Sequence, residues 1–310
     1  MTQKIAVDAG HGFTKAISAA GGRIMFPSLI APAPMAVDLG EFAQSSVMLI
    51  GGVPYLVGES ARKIATPLWS RDKATDPDTL RLVLVAAAQL GAIGGIKLAT
   101  GLPLAWYGSQ RRAFREVLTG FGEVIALPGR PAQRLWIESV TVLPQGIAAA
   151  AGLIVSPDRV PGDYVVLDIG YRTADFVVVS KTVDGSIDFR ADQAGTLEIG
   201  THAIATTVAR GLEHDYAAPF TTAEIETVRG IHIEGQFVDL TERRRMATAH
   251  VTQSLFRALT EVLDSRLKKV AGLITVGGGA LSLGNTIPHA VVPDDPQWAN
   301  AVGYLGALEG

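Results

Sequence analysis

The sequence predicts an α/β protein built from two similar lobes, each a mixed sheet flanked by helices. The 310 residues are 48% hydrophobic, which is enough for two domains with separate cores. Short β-branched segments between glycine turns alternate with longer segments of helical periodicity. In addition, an apolar strand that ends in Asp-x-Gly occurs twice, at Asp8 and at Asp168.

The first half of the chain begins as a meander of short strands. From Asp76 to Leu90 the apolar residues recur near helical spacing, and Asp78 is a candidate N-cap. A second helix is predicted over residues 109–118, and an alanine-rich helix begins at Pro144-Gln145-Gly146. The predicted strands of this half are residues 5–7, 14–19, 23–26, 47–50, 55–57, 96–103 (ending in a loop), 124–127 and 135–143.

Turn-forming residues cluster from Ser156 to Gly162, where we place the boundary between the lobes. The first lobe is then residues 1–160, with the C-terminal segment 286–310 packing back on it, and the second lobe is residues 161–285. The predicted elements after the boundary are strands 163–167, 176–180, 187–192 and 273–276 and helices 201–212, 240–267 and 297–308.

The restart of the pattern is an internal repeat. Residues 5–10 and residues 165–170 each comprise an apolar strand, an aspartate at its end and a glycine two residues later, followed by a second strand. Two similar lobes that face each other would place both turns at one cleft.

Composition excludes several classes of function. The chain has a formal charge of −3 and its basic residues are scattered, so it lacks the broad positive field that attracts nucleic acids or anionic membranes. The triplet Arg243 to Arg245 follows Glu242 and is typical of a solvated helix face. Without cysteine there is no disulfide, thiolate metal site or cysteine nucleophile. No secretory h-region or span of about 20 apolar residues is present, so we expect a cytoplasmic protein.

Each Asp-x-Gly turn has the residue types that bind a polyphosphate. Glycine allows close backbone approach, so the amides of Gly10-His11-Gly12 and Gly170-Tyr171-Arg172 can point at phosphate oxygens. Asp8 and Asp168 would repel phosphate directly, which favours a role in holding a hydrated Mg²⁺ or an attacking water. A glycine hairpin with a solvated aspartate is the alternative, and it explains one motif better than it explains a matched pair.

Other residues add weaker signals. Lys15 follows the first turn and can neutralise a phosphate, although a surface lysine is the simpler alternative. Gly277-Gly278-Gly279 ends a strand and precedes a predicted helix, an arrangement that exposes amides to an anion. Gln145, at a helix start, can orient a water or be merely structural. The remaining candidates are Phe13, Thr14 and Thr173 near the turns, and Asp175, which mirrors Lys15 in the second copy.

Taken in order, these motifs resemble the five motifs of the actin superfamily, whose lobes have a ribonuclease H-like fold with a nucleotide cleft between them. The resemblance spans nearly the whole chain. Phe26-Pro27-Ser28 and Trp69-Ser70-Arg71-Asp72 are most similar to the plasmid-segregating ParM proteins and their archaeal actin-like relatives. The matching motifs are Asp8-Ala9-Gly10 to Lys15, Pro144-Gln145-Gly146, Asp168-Ile169-Gly170 to Asp175, Val276 to Ala280 and Asn300-Ala301-Val302-Gly303.

The resemblance implies an ATPase, or GTPase, that forms filaments of its own chain. Asp8 and Asp168 match the aspartates that hold magnesium and water, and Gln145 matches the water-positioning glutamine. Lys15 matches the phosphate lysine, and residues 277–279 match the loop beneath the adenosine and α-phosphate. Two residues depart from the pattern. His11 stands where many members have serine, and Arg172 replaces a small residue of some members, so that it either adds a cation or crowds the loop.

Two alternatives within the superfamily remain open from sequence, a small-molecule kinase and an exopolyphosphatase-like phosphotransferase. No sugar-recognition cluster supports the kinase. For a segregating filament we expect an adaptor protein to bind DNA, with no direct nucleic-acid or membrane contact by this chain.

Overall fold

A computed structural model describes residues 2–34, 46–65 and 70–309 of the chain. The chain divides into two compact units. Unit 1 comprises Met1–Ala149 and Asn300–Gly310, and unit 2 comprises Ala150–Ala299. Trp69, part of one motif noted above, lies outside the described residues. Within the described residues, no helix combines the length and the apolar character needed to cross a membrane.

Unit 1 contains a mixed sheet. Its strands are β1 Gln3–Ala9, β2 Phe13–Ser18, β3 Arg23–Pro27, β4 Ile30–Pro32, β5 Met48–Ile50, β6 Val53–Val57, β7 Gly94–Leu102, β8 Gly122–Ala126 and β9 Gln133–Pro144. Their order in the sheet is β3-β2-β1-β7-β9-β8-β5-β6-β4. Strand β1 pairs antiparallel with β2 and parallel with β7, and β7 pairs parallel with β9.

Helix α1 (Pro77–Gln89) fills the core of unit 1 because its residues are apolar on almost every side. Leu82, Val83 and Leu84 have no solvent exposure, and the helix packs against β1 and β2. Its N-cap is Asp76, whose side chain accepts a hydrogen bond from the Asp78 amide. The prediction that Asp78 is the cap was therefore wrong, because Pro77 supplies the first helical residue and Asp78 lies inside the first turn.

Helix α7 (Ala299–Glu309) completes unit 1 with residues from the far end of the chain. Tyr304 is fully buried against Ala6, Ala99 and Ala148. The Asn300 side chain accepts a hydrogen bond from the Gly146 amide at 3.0 Å. These small alanines leave room for the tyrosine ring, which fixes α7 on the sheet.

The strands of unit 2 are β10 Gly162–Ile169, β11 Ala174–Lys181, β12 Ile187–Leu197, β13 Gly230–Ile233, β14 Gln236–Asp239, β15 Gly272–Val276 and β16 Ala290–Val291. Five of them form a sheet in the order β12-β11-β10-β15-β16, and β13 and β14 form a separate hairpin. Strand β10 pairs antiparallel with β11 and parallel with β15, as β1 does with β2 and β7. The helices of both units not yet given are α2 Leu104–Leu118, α3 Ile147–Ile154, α4 His202–Tyr216, α5 Thr222–Ile225 and α6 Thr241–Leu263.

Hydrophobic clusters stabilise unit 2. One joins the apolar face of α6 to the sheet, with Leu255 and Leu259 of the helix against Val165 and Leu167 of β10. Another lies under the β13-β14 hairpin, where Val208 and Leu212 of α4 are buried. This hairpin and α5 are missing from the sequence prediction, because their segments are short and polar on one side.

Several predicted bounds also change. Helix α2 begins at Leu104 rather than at residue 109, because Pro103 can precede a helix as easily as it ends a strand. Helix α6 ends at Leu263, followed by a 3₁₀ turn to Lys268. Residues 286–299 belong to unit 2, since β16 pairs with β15 there. The division near residue 150 falls inside α3 rather than at residues 156–162, because Ala148 packs under Tyr304.

Candidate functional site

The first Asp-x-Gly motif forms the turn between β1 and β2. The Gly10 amide donates a hydrogen bond to the Phe13 carbonyl at 3.2 Å, which closes the turn. A Cβ on residue 10 would lie 3.0 Å from the same carbonyl, so only glycine fits without displacement. Across the two strands Asp8 pairs directly with Lys15. The predicted turn is therefore present, with the aspartate and the lysine side by side at its base. The expectation that the Gly10 amide points at a phosphate is corrected, because this amide closes the turn.

The Asp8 carboxylate, only 4% exposed, is held by two side chains of unit 1. Lys15 Nζ lies 3.4 Å from Oδ2, and Gln145 Nε2 donates to Oδ1 at 3.0 Å. A carboxylate only accepts hydrogen bonds, so Gln145 must direct its NH₂ group at Asp8 and its Oε1 away from Asp8. The structure thus joins three predicted site residues that are as many as 137 positions apart.

The predicted position of Gln145 at a helix start is corrected. Strand β9 ends at Pro144 and α3 begins only at Ile147, so Gln145 lies in the connecting turn. Gly146 has φ 74°, which a helix does not accommodate, and the Gln145 amide donates to the Leu102 carbonyl at 2.8 Å. The side chain is therefore fixed at the end of the central strands rather than on a helix.

The other residues around the first turn are held by neighbours in unit 1. The Thr14 hydroxyl is fully buried and lies 2.8 Å from Ser28 Oγ, while the Ser28 amide donates to the Gly12 carbonyl at 2.9 Å. His11 Nε2 donates to the Ser70 carbonyl at 3.4 Å, and its ring meets Trp106 edge-on at 5.9 Å. Phe13 is 42% exposed.

The second Asp-x-Gly motif repeats the geometry of the first within unit 2. The Gly170 amide donates to the Thr173 carbonyl at 2.9 Å, and a Cβ on residue 170 would lie 3.0 Å from that carbonyl. Asp168 pairs across the strands with Asp175, the position that Lys15 occupies in the first hairpin. The two hairpins therefore share their turn and register and differ in the charge at this position.

The polar residues of the second turn are also engaged. Asp175 is buried and accepts a hydrogen bond from Thr196 on the neighbouring strand. The Arg172 guanidinium lies 3.8 Å from the Glu198 carboxylate, so this cation is paired within its own unit. Thr173 is buried as well.

Tyr171 connects the second turn to two other segments of unit 2. Its hydroxyl donates to Glu226 at 3.3 Å and lies 2.9 Å from His202 Nδ1, so that nitrogen carries the proton. Burial lowers the pKa of His202, which keeps the ring neutral at physiological pH. The His202 amide also donates to the Tyr171 carbonyl at 2.8 Å.

The glycine-rich loop packs directly on the second turn. Gly277 has φ 84°, its amide donates to the Pro296 carbonyl at 2.9 Å, and a Cβ there would overlap Asp168 Oδ1. A Cβ on Gly279 would overlap the Ile169 side chain, whereas Gly278 has open space. The predicted helix after this loop is wrong, because a 3₁₀ turn from Gly278 to Leu281 follows instead, so the loop does not begin a long helix with its dipole.

Two contacts near the turns were not predicted. Lys73 is 3% exposed and donates from Nζ to the Ala9 carbonyl at 2.7 Å. The Thr201 amide donates to the Gly170 carbonyl at 3.1 Å, and Gly200 lies so close to Tyr171 that a Cβ would clash. The only available signals were an isolated lysine and a Gly-Thr pair, which are common in loops.

Among the described residues, no group of three His, Asp or Glu side chains forms a metal site of its own.

Comparison with known proteins decides the family. The N-terminal domain of actin-like proteins matches residues 6–147, and the C-terminal domain of the archaeal MreB-like actin homologues matches residues 166–289. The chain belongs to the actin superfamily. Together the two family matches include both Asp-x-Gly turns, Gln145 and the glycine loop of this actin-like chain, and Asn300 lies beyond them.

Relatives of this actin-like protein are similar over their full length. The archaeal actin homolog of Thermoplasma volcanium is 24% identical over 337 residues, covering 98% of each chain. A 15-stranded ParM filament from Clostridium botulinum has a subunit with TM-score 0.86 and 22% identity, covering 99% of each chain. The archaeal actin homolog Ta0583 in complex with ADP has TM-score 0.80 and 22% identity, also covering 99% of each. The actin-like fold of both units follows from these similarities.

Proposed function

We propose that this actin-like chain binds a magnesium–nucleoside triphosphate, ATP or GTP, polymerises into filaments and hydrolyses the nucleotide. The observation that carries the proposal is the duplicated hairpin. Each unit offers an Asp-x-Gly turn closed by the same amide-to-carbonyl bond, beside a buried aspartate. A single such turn is a common structural feature, but two with equal register are typical of a phosphate-binding pair.

The donor set fits a magnesium ion. Mg²⁺ retains waters and is held by one or two carboxylates together with substrate phosphates, so a cluster of three protein ligands is not required. Asp8 and Asp168 are the carboxylates that would hold it, each through a water that the ion retains. When bound, Mg²⁺ neutralises charge on the phosphate oxygens.

Gln145 is proposed to position the attacking water. Its NH₂ group is used by Asp8, so Oε1 remains as the acceptor that can orient one hydrogen of a water. Because Asp8 and the backbone bond to Leu102 both restrain the residue, little reorganisation is needed when a nucleotide binds. Lys15 is proposed to supply a point charge to the phosphates while remaining close to Asp8.

Two similar proteins support this proposal. The Clostridium botulinum ParM forms a filament, which supports assembly, and the archaeal homolog Ta0583 forms a complex with ADP, which supports nucleotide binding. A filament of this kind can position DNA in the cytoplasm, such as a segregating plasmid, when an adaptor protein links the two. The adaptor is required in this proposal because the chain has a net charge of −3 and no broad basic field.

Sedimentation and light scattering with purified protein test the proposal. Scattering should rise on addition of Mg-ATP or Mg-GTP, should fall as phosphate is released, and should stay flat with EDTA. A flat trace at every protein concentration, combined with rapid phosphorylation of a small acceptor, would favour a kinase of the same superfamily. Release of phosphate from polyphosphate without assembly would favour an exopolyphosphatase.

A further inference from the structure

Lys73 is a buried cation at the base of the first turn that the proposed chemistry has not yet used. A lysine that is only 3% exposed is rare unless its ammonium is paired, because removing the charge from water is costly. Nζ donates to the carbonyl of Ala9 at 2.7 Å, a contact between residues 64 positions apart. Ala9 is the middle residue of the Asp-x-Gly motif, so the bond acts on the turn itself.

The bond fixes the orientation of one peptide group. The carbonyl of Ala9 and the amide of Gly10 belong to the same planar unit and point in opposite directions. With the carbonyl on Lys73, the amide faces into the hairpin and donates to the Phe13 carbonyl. If the peptide flipped, the Ala9 oxygen would face the Phe13 carbonyl oxygen, and the hydrogen bond that closes the turn would be lost.

The second turn is supported differently. There the equivalent carbonyl belongs to Ile169, and the backbone of Gly277 and Gly279 lies against it so closely that a Cβ on either glycine would lie 2.5 or 2.9 Å from the oxygen. Close glycine packing therefore holds this carbonyl in the second turn, and a charge-assisted hydrogen bond holds its equivalent in the first. The support of the first turn can thus be removed by changing one side chain.

The segment that carries Lys73 is itself well connected. The Asp72 carboxylate accepts from the Ala74 amide at 3.0 Å, and Asp76 caps α1. The same segment also contacts the first turn a second time, through the Ser70 carbonyl and His11. These bonds hold the backbone on both sides of Lys73, so its ammonium is presented from a fixed position.

We propose that Lys73 is the positioning residue of the first phosphate-binding turn: through the Ala9 carbonyl it keeps the turn in the conformation that accepts a nucleoside triphosphate. The inference rests on the proposed function. It assigns a role at the nucleotide site to a lysine in addition to Lys15, and it predicts that nucleotide affinity depends on a residue that need not touch the nucleotide.

The experiment is a titration of a fluorescent ATP analogue, with magnesium and below the concentration at which the protein assembles, into three full-length proteins. Lys73→Met removes the ammonium and keeps the length of the side chain. Lys181→Met is the matched control, because Lys181 is also buried and donates to a backbone carbonyl, that of Ser156 at 2.6 Å, at the opposite end of β11 from Asp175. The thermal unfolding midpoint of each protein is measured alongside.

Lys73→Met is expected to weaken nucleotide binding at least tenfold, and Lys181→Met less than twofold, for a comparable fall in the unfolding midpoint. Equal affinity in Lys73→Met and wild type would overturn the inference while leaving the proposed function intact. If the wild-type protein itself does not bind the analogue, the inference and the proposed function are both overturned. Should Lys73→Met not fold, Lys73→Arg replaces it. The larger guanidinium must displace the Ala9 carbonyl in so buried a site, so at least a fivefold loss is expected and unchanged affinity overturns the inference.

Discussion

Gln145 and Asp8 share a hydrogen bond of 3.0 Å between Nε2 and Oδ1, so the proposed water-positioning amide and a proposed magnesium carboxylate are directly connected. Gln145→Ala should therefore lower the rate of phosphate release while nucleotide affinity stays within about threefold of wild type. The loss of one positioning contact typically raises the barrier by about 2 to 4 kcal/mol, or roughly 30- to 1,000-fold in rate. Phosphate release and pelleting are measured on one preparation. An unchanged rate per polymerised subunit would remove Gln145 from the mechanism.

Asp168→Asn is expected to reduce hydrolysis by roughly two orders of magnitude or more, because the amide keeps the shape of the side chain and removes its charge. Filaments of this variant, once formed, should persist. Asp175→Asn is the control, since Asp175 is also buried on the neighbouring strand and an asparagine can still accept from Thr196. Hydrolysis that falls equally in both variants would indicate general damage to β10 and β11 rather than loss of a metal ligand.

Gly277→Ala should destabilise unit 2, because φ 84° alone costs a non-glycine residue about 1–2 kcal/mol and the new Cβ would overlap Asp168 Oδ1. For a chain of this size, the corresponding fall in Tm is at least about 2–4 °C. The neighbouring Gly278→Ala meets no atom within 4 Å and has no positive φ, so its Tm should remain close to wild type. Calorimetry of both variants checks the difference, and equal Tm values would contradict the packing of this loop on the second turn.

His202 predicts how stability responds to mild acid. Burial lowers its folded-state pKa below the usual 6.5, and it contacts the hydroxyl of Tyr171, which in turn faces Glu226. The unfolded chain therefore binds the proton more readily, and stability present above pH 6.5 is lost as the pH falls toward the folded pKa. The Tm of wild type should fall between about pH 7.5 and about pH 5.5 by more than that of His202→Gln. Parallel curves would show that this histidine does not govern the response.

Local patterns in the sequence were sufficient for the fold class and for the two hairpins. An apolar strand that ends in Asp-x-Gly predicts the turn that follows it, because the interaction is local. A carbonyl three residues after the glycine lies so close that a Cβ would not fit. The sequence repeat also predicts that Lys15 and Asp175 occupy equivalent positions in the two hairpins. The strand register confirms this, because Lys15 lies opposite Asp8 and Asp175 lies opposite Asp168. The family resemblance placed Gln145 in the set, and the structure brings it to Asp8.

Contacts between distant segments could not be predicted in the same way. Lys73 reaches Ala9 across 64 positions, and no periodicity marks a lysine in a polar loop as buried. The sequence predicts a helix after the loop at Gly277, because a glycine run at the end of a strand can precede a helix as well as a tight turn. Asp76 instead of Asp78 caps α1 because a proline between them selects the earlier residue.

The last helix of the chain has a consequence for the order of folding. Tyr304 and Asn300 of α7 fill and cap a unit whose other residues precede position 150, whereas unit 2 is one continuous segment. All residues of unit 2 are therefore synthesised before unit 1 is complete, although unit 1 starts earlier. Until α7 docks, the surface around Ala6, Ala99 and Ala148 stays uncovered, so the N-terminal residues of unit 1 cannot complete its core by themselves.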